Sequence, residues 1–85
     1  MTTTYRENEQ IVRLLMHGFI GEANSRWNVQ LGVLSNQLRC LSKQSQLDLL
    51  APLRQILSCQ QQEDWVGMAD ALRYKLNPAL TRVLP

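Results

Sequence analysis

The strongest nucleophiles in the chain are two thiols, Cys40 and Cys59, and its one histidine is His17. A thiol beside an imidazole could attack a carbonyl carbon, with the ring drawing off the thiol proton. No spacing joins the three residues. They form neither a CxxC pair nor a helical histidine pair, so the pattern indicates no zinc site and no cofactor. Two interior or half-buried thiols and a histidine at a helix end account for the same residues without any reaction.

Other chemistries fare similarly. Glu63 and Asp64 stand just before Trp65, where a starting helix favours acids over its exposed amides. Asp70 precedes Arg73 by three residues, the spacing of an ion pair on a solvated helix face. Neither arrangement supplies the opposed carboxylates of acid–base catalysis. Gly18-x-x-Gly21 lacks the fuller fingerprint and the preceding strand of a phosphate-binding loop. The reading is therefore of no enzyme.

Basic residues offer a second possibility. Arg39 and Lys43 near one turn, Arg54, and Arg73, Lys75 and Arg82 on the last helix could together contact a phosphate backbone. They do not share one face, and Gln61, Glu63 and Asp64 interrupt them. A compact recognition helix is also difficult to place around Pro52 and Asn77-Pro78.

Large amphipathic side chains are the better candidates for a contact. Trp27 and Trp65 can pack across antiparallel helices or anchor an interface, where buried aromatic rings dominate binding. Tyr74, on the helix that carries Asp70 and Arg73, suits a semi-exposed contact, with its ring covering a groove and its hydroxyl wet. Trp27, Trp65, Arg73 and Tyr74 are the candidate partner-binding residues.

These residues must be positioned by helices. Trp65, Ala69, Leu72, Leu76, Leu80 and Val83 recur at intervals of three and four, with Met68 and Leu84 widening the stripe. Asn77-Pro78 either begins a fresh terminal helix or kinks this one. Upstream, Thr4 and Glu7 have capping-box spacing after a frayed start over residues 1–4, and Ile11, Val12 and Leu15 follow. His17-Gly18 is a natural stop. A continuous helix over residues 5–41 is the rival, because the series Val12, Met16, Phe19, Ala23, Trp27, Leu31, Leu34, Leu38 and Leu41 crosses both glycines. Gly32 within it suggests weakened helix or close packing.

Ser42-Lys43-Gln44-Ser45 reads as a turn, and Ser45 with Asp48 caps a helix from about Gln46. Leu47, Leu50, Leu53, Ile56 and Leu57 supply its buried side, with a kink at Pro52. An antiparallel hairpin would set Cys40 and Cys59 on the order of 20 Å apart, at opposite ends of this helix. No disulfide is expected, which suits a reducing compartment.

Composition sets the outer limits. A chain of 85 residues buries roughly 60–65% of its unfolded surface. Stability at this size often comes from a disulfide, a metal or a partner subunit, and the first two lack support here. Hydrophobic residues make up 45% and the net charge is +2, ordinary for a globular protein without a strong attraction for nucleic acid or anionic lipid. No apolar run reaches the length of a membrane span, and the amino terminus lacks the pattern of a secretory signal.

The expectation is an all-α protein, a small antiparallel bundle of three or four helices in one domain over residues 1–85. Its surplus of apolar positions favours a homodimer with a core shared between subunits. The expected function is a cytoplasmic, non-enzymatic interaction module, an adaptor, chaperone-like protein or regulatory subunit that binds another polypeptide through a helical groove. A nucleic-acid-associated regulator is the alternative, and no membrane partner is expected.

Overall fold

The computed structural model describes residues 2–84, and among these the backbone is helix joined by short turns. Helix α1 is Thr2–Met16, α2 is Ile20–Leu38 and α3 is Lys43–Gln61. Helix α4 covers residues 65–83 in three consecutive sections: α-helical over Trp65–Asp70, π-helical over Ala71–Leu76 and α-helical over Asn77–Val83. The helices run alternately up and down. Glu7 reaches Arg26 and Thr4 reaches Gln30 across the antiparallel α1–α2 pair, while Glu9 reaches Arg73 and Asn8 reaches Asn77 across α1–α4.

Gly18 decides between one long helix and two. Its φ of 84° lies in the left-handed region, which glycine enters without a side-chain penalty. There the Gly18 amide donates to the Leu15 carbonyl at 3.2 Å and the Phe19 amide to the Leu14 carbonyl at 2.8 Å. These two bonds satisfy carbonyls that a helix end would otherwise leave unpaired. The same device ends α3 with a different residue. Asp64 donates its amide to Cys59 at 2.8 Å and Glu63 donates to Gln60 at 3.1 Å, with Glu63 at a φ of 55°. Glu63 thus serves the preceding helix end, whereas sequence spacing assigns it to the following helix start. Asp64 does begin α4, its carboxylate accepting the Gly67 amide at 2.9 Å.

Several boundaries differ from expectation. α1 already includes residues 2–4, so Thr4 lies inside the helix and not at its cap; Met1, the remainder of the expected frayed start, and Pro85 lie outside the described residues. α3 begins at Lys43, because Ser42 is the cap and accepts the Ser45 amide at 3.1 Å. Gln46 then closes the turn, donating to the carbonyls of Leu38 and Leu41 at 2.9 and 3.1 Å.

Two prolines are absorbed without ending a helix. Pro52 is buried inside an unbroken α3. Pro78 is the second residue past the π section, and the Asn77 amide bonds five residues back to Leu72. A proline ring collides with the carbonyl four residues before it in a regular α-helix. The wider π turn just upstream relieves that crowding, so Asn77 needs neither to cap a new helix nor to break the old one.

The core is built around α4. Met68, Leu72, Leu76 and Leu80 are fully covered, and Ile11 and Val12 of α1, Trp27 and Leu34 of α2 and Leu49 and Ile56 of α3 meet them. The stripe on α4 is close to the one expected. That on α3 is rotated: Leu49, Pro52 and Ile56 are buried, whereas Leu47, Leu50 and Leu57 are exposed and Leu53 is half-buried. Leucines surround this helix, and periodicity alone does not tell which face meets the core. On α2, Leu31 and Phe19 before it are exposed. Gly32 has open space where a Cβ would sit, so close packing is not its purpose.

Polar side chains also enter the core. The Gln30 amide donates to the Asn8 side-chain oxygen at 3.0 Å and to the Thr4 carbonyl at 3.1 Å, and Asn8 donates to the Asn77 side-chain oxygen at 2.8 Å. Asn8 is completely buried. Two outcomes test these assignments. Asn8→Ala should lower unfolding free energy by about 2–3 kcal/mol in urea denaturation, because Asn77 loses its donor and Gln30 one acceptor. Glu63→Gly should raise it by about 0.5–1 kcal/mol in the same assay, since glycine adopts the left-handed conformation without the cost a glutamate bears.

Candidate docking cleft

The second half of α1 and the first two sections of α4 border a cleft of about 350 Å³. Val12 and Leu15 of α1 and Ala69 of α4 are its buried floor. Trp65 is half-buried along its edge. Met16, Val66 and Tyr74 stand at the rim, 65–75% exposed, an unusual concentration of large apolar surface for so short a stretch.

Local structure explains this display. The Asp64 cap fixes the first turn of α4 and places Trp65 at its first position. A Cβ at Gly67 would meet the Asp64 carboxylate as it is placed in this cap, so a larger residue there would make that side chain turn. One turn on, Ala69 is small enough to leave room between the helices. The π section then carries Arg73 and Tyr74 to the far edge.

Arg73 is held by α1. Its Nη2 lies 2.8 Å from Glu9 Oε1 and its Nε 3.2 Å from Glu9 Oε2, a two-pronged pair, while Nη1 rests 3.9 Å from the Met16 sulfur. The sequence spacing expects Asp70 as its partner. The reach to Glu9 instead follows from a guanidinium fork that matches a carboxylate edge. Asp70, also on the cleft, forms no ion pair among the described residues.

The Arg73 hydrogen bonds are the main reason the Glu9 carboxyl sits below its ordinary pKa; partial burial opposes them, and the charges of Arg73 and Arg13 add to them. A depressed carboxylate stabilises the fold above its unfolded value, about 4.3, and this contribution fades as pH falls through the folded value. Replacing Arg73 with Gln should therefore raise the Glu9 midpoint in a carboxyl-carbon NMR titration. Any stability difference between the two proteins should shrink toward zero at the acidic end of that window.

Three of the four candidate residues come together here. Trp65, Arg73 and Tyr74 all line the cleft, whereas Trp27 is 1% exposed and belongs to the core. Trp27 reaches only the floor of a second depression between α2 and α3, with Leu31, Leu53, Arg54 and Leu57. Sequence reasoning missed Glu9, Met16 and Val66. Met16 was legible only as part of the long series across the glycines, and Glu9 pairs with Arg73 across 64 positions of sequence.

Other reactive groups remain separate. Cys40 and Cys59 are free; Cys40 is exposed, against the expectation of a buried or half-buried thiol, because α2 ends at Leu38 and leaves it in the turn. Cys59 is half-buried, and burial, reinforced by the Asp64 charge, pushes its thiol pKa up. Neither cysteine nor His17 lines any of the four main clefts. No group of three His, Cys, Asp or Glu residues is placed to hold a metal among the described residues. The basic residues are dispersed: Arg54 on the α2–α3 depression, Lys75 and Arg82 beside Asp48 on the α3–α4 face, and Arg73 in its ion pair. Among the described residues no helix is long and apolar enough to cross a membrane.

No protein-family model matches this chain, and neither the curated proteins nor the solved structures supply a relative.

Proposed function

We propose that the protein is a non-enzymatic interaction module of the cytoplasm, an adaptor, chaperone-like protein or regulatory subunit, which works as a homodimer. Its α1–α4 cleft takes an amphipathic helix from another polypeptide. The convergence of Trp65, Tyr74, Met16 and Val66 around one apolar floor carries this reading. Such a helix would lay large apolar anchors on Val12, Leu15 and Ala69, each fully buried anchor contributing about 1.5–3 kcal/mol before the costs of association. Trp65 and Tyr74 would flank it and exclude water.

Charge narrows the occupant further. Arg73 is already neutralised by Glu9, so Asp70 is the cleft's unpaired charge among the described residues. A lysine or arginine beside the apolar stripe of the incoming helix would meet it. Specificity would then come from one polar contact at the rim, and affinity from the apolar floor.

A display library of amphipathic helical peptides tests the reading. Selected peptides should carry an apolar stripe with an adjacent basic residue and should change Trp65 fluorescence in the Trp27→Phe protein. They should lose about 10- to 100-fold in affinity for Trp65→Ala or Tyr74→Ala. Peptides that bind these variants as well as the parent would overturn the cleft. Salt-sensitive binding to random duplex DNA, with no peptide selected, would move the nucleic-acid reading ahead.

A further inference from the structure

Methionine sulfur occupies two opposite settings in this chain. Met68 is fully buried in the core, whereas Met16, the last residue of α1, is 66% exposed at the rim of the cleft. Exposure governs the oxidation of a thioether, so the two sulfurs differ in reactivity. Met16 also stands beside a donor with no better partner. Glu9 takes Nε and Nη2 of Arg73, and Nη1, the nitrogen left over, lies 3.9 Å from the Met16 sulfur. A thioether is only a weak acceptor.

We propose that Met16 is a reversible oxidation site, at which hydrogen peroxide converts the thioether to the sulfoxide and Arg73 Nη1 binds the new oxygen. This rests on the cleft reading above and names that cleft's regulation.

The sulfur lone pair attacks one peroxide oxygen. An S–O bond forms as the O–O bond breaks, and the proton of the transferred oxygen passes to the leaving hydroxide, which departs as water. Sulfur loses two electrons and the peroxide gains them. A thiol-dependent sulfoxide reductase runs the return step, in which two thiols join as a disulfide and the oxygen leaves as water. Arg73 suits the oxidised form because Glu9 already fixes its guanidinium, so binding the oxygen costs little further freedom. Met16 lies outside the core cluster, and the fold does not depend on its oxidation state.

Docking does depend on it. Reduced Met16 is an unbranched, adaptable side chain that folds over an incoming helix. As the sulfoxide it is pinned to Arg73, and the oxygen's second lone pair holds water that a docked helix would have to strip away.

The test uses the full chain with Cys40→Ser and Cys59→Ser, which removes the competing thiols. Peptide mapping by mass spectrometry should show Met16 oxidised at least about tenfold faster than Met68, with helicity unchanged by circular dichroism. The docking probe is a fluorescein-labelled synthetic helix with a leucine stripe and a flanking lysine, followed by anisotropy. Peroxide should weaken its binding about tenfold, and a sulfoxide reductase should restore it. In Arg73→Gln the loss on oxidation should fall below about threefold, because the sulfoxide is no longer pinned. The affinity of Met16→Leu, whatever its starting value, should not respond to peroxide. Equal oxidation of Met16 and Met68, or an equal loss with and without Arg73, would overturn the proposal. A probe that binds the reduced and oxidised proteins alike would overturn the switch and leave the cleft standing. A probe that binds neither would overturn the cleft, and the switch with it.

Discussion

The hydrogen-bonded amides of Gln30, Asn8 and Asn77 hold three helices in a single alignment. Apolar packing is tolerant of small slides, because one leucine can replace another against a smooth neighbour. Buried amides are not tolerant, since each donor removed from water must find its acceptor or cost free energy. Asn8 sits between the other two, accepting from α2 and donating to α4. It therefore fixes α1 against both neighbours at the same height. The cleft further down α1 depends on this: Val12, Leu15 and Met16 face Trp65, Ala69 and Arg73 only while that height is kept.

The Glu9–Arg73 pair lies one residue along from the amide contact and extends the same alignment to the surface. Its partial exposure makes it a weak source of stability. Its greater effect is on the cleft's electrostatics. It neutralises a cation at the rim and leaves Asp70 as the cleft's unpaired charge among the described residues. Geometry and charge are thus set from the same short stretch of α1.

Much of the architecture was legible in the residues. Four amphipathic stretches, the glycine stop at Gly18 and the α4 stripe are all present in the structure, because glycine conformation and helical periodicity act locally. The face of α3 was not legible. Leu47, Leu49, Leu50, Leu53, Ile56 and Leu57 surround most of the helix, and only the position of α4 selects Leu49 and Ile56 for the core. Gln30 was also missed, since a polar residue announces burial only when its distant partners are known. Of the candidate site, Trp65, Arg73 and Tyr74 were found by their chemistry, whereas Trp27 was indistinguishable from them until its burial was seen. Glu9 could not be found, because nothing local ties it to Arg73.

The π section in α4 has a meaning for how such a chain can change over time. A π turn holds more residues than an α turn of the same height, and thus resembles a single inserted residue that the helix has absorbed. Upstream of it the helix presents Trp65 and Ala69 to the cleft; downstream it presents Asn77 to Asn8 and Leu80 to the core. Rewinding the same residues 71–76 as a regular α-helix, with none removed, would turn one half against the other by about 100°. Asn77 and Trp65 could not then both face α1. By absorbing the extra residue, the π turn keeps two unrelated surfaces, one polar and buried and one apolar and open, on the same side of one helix.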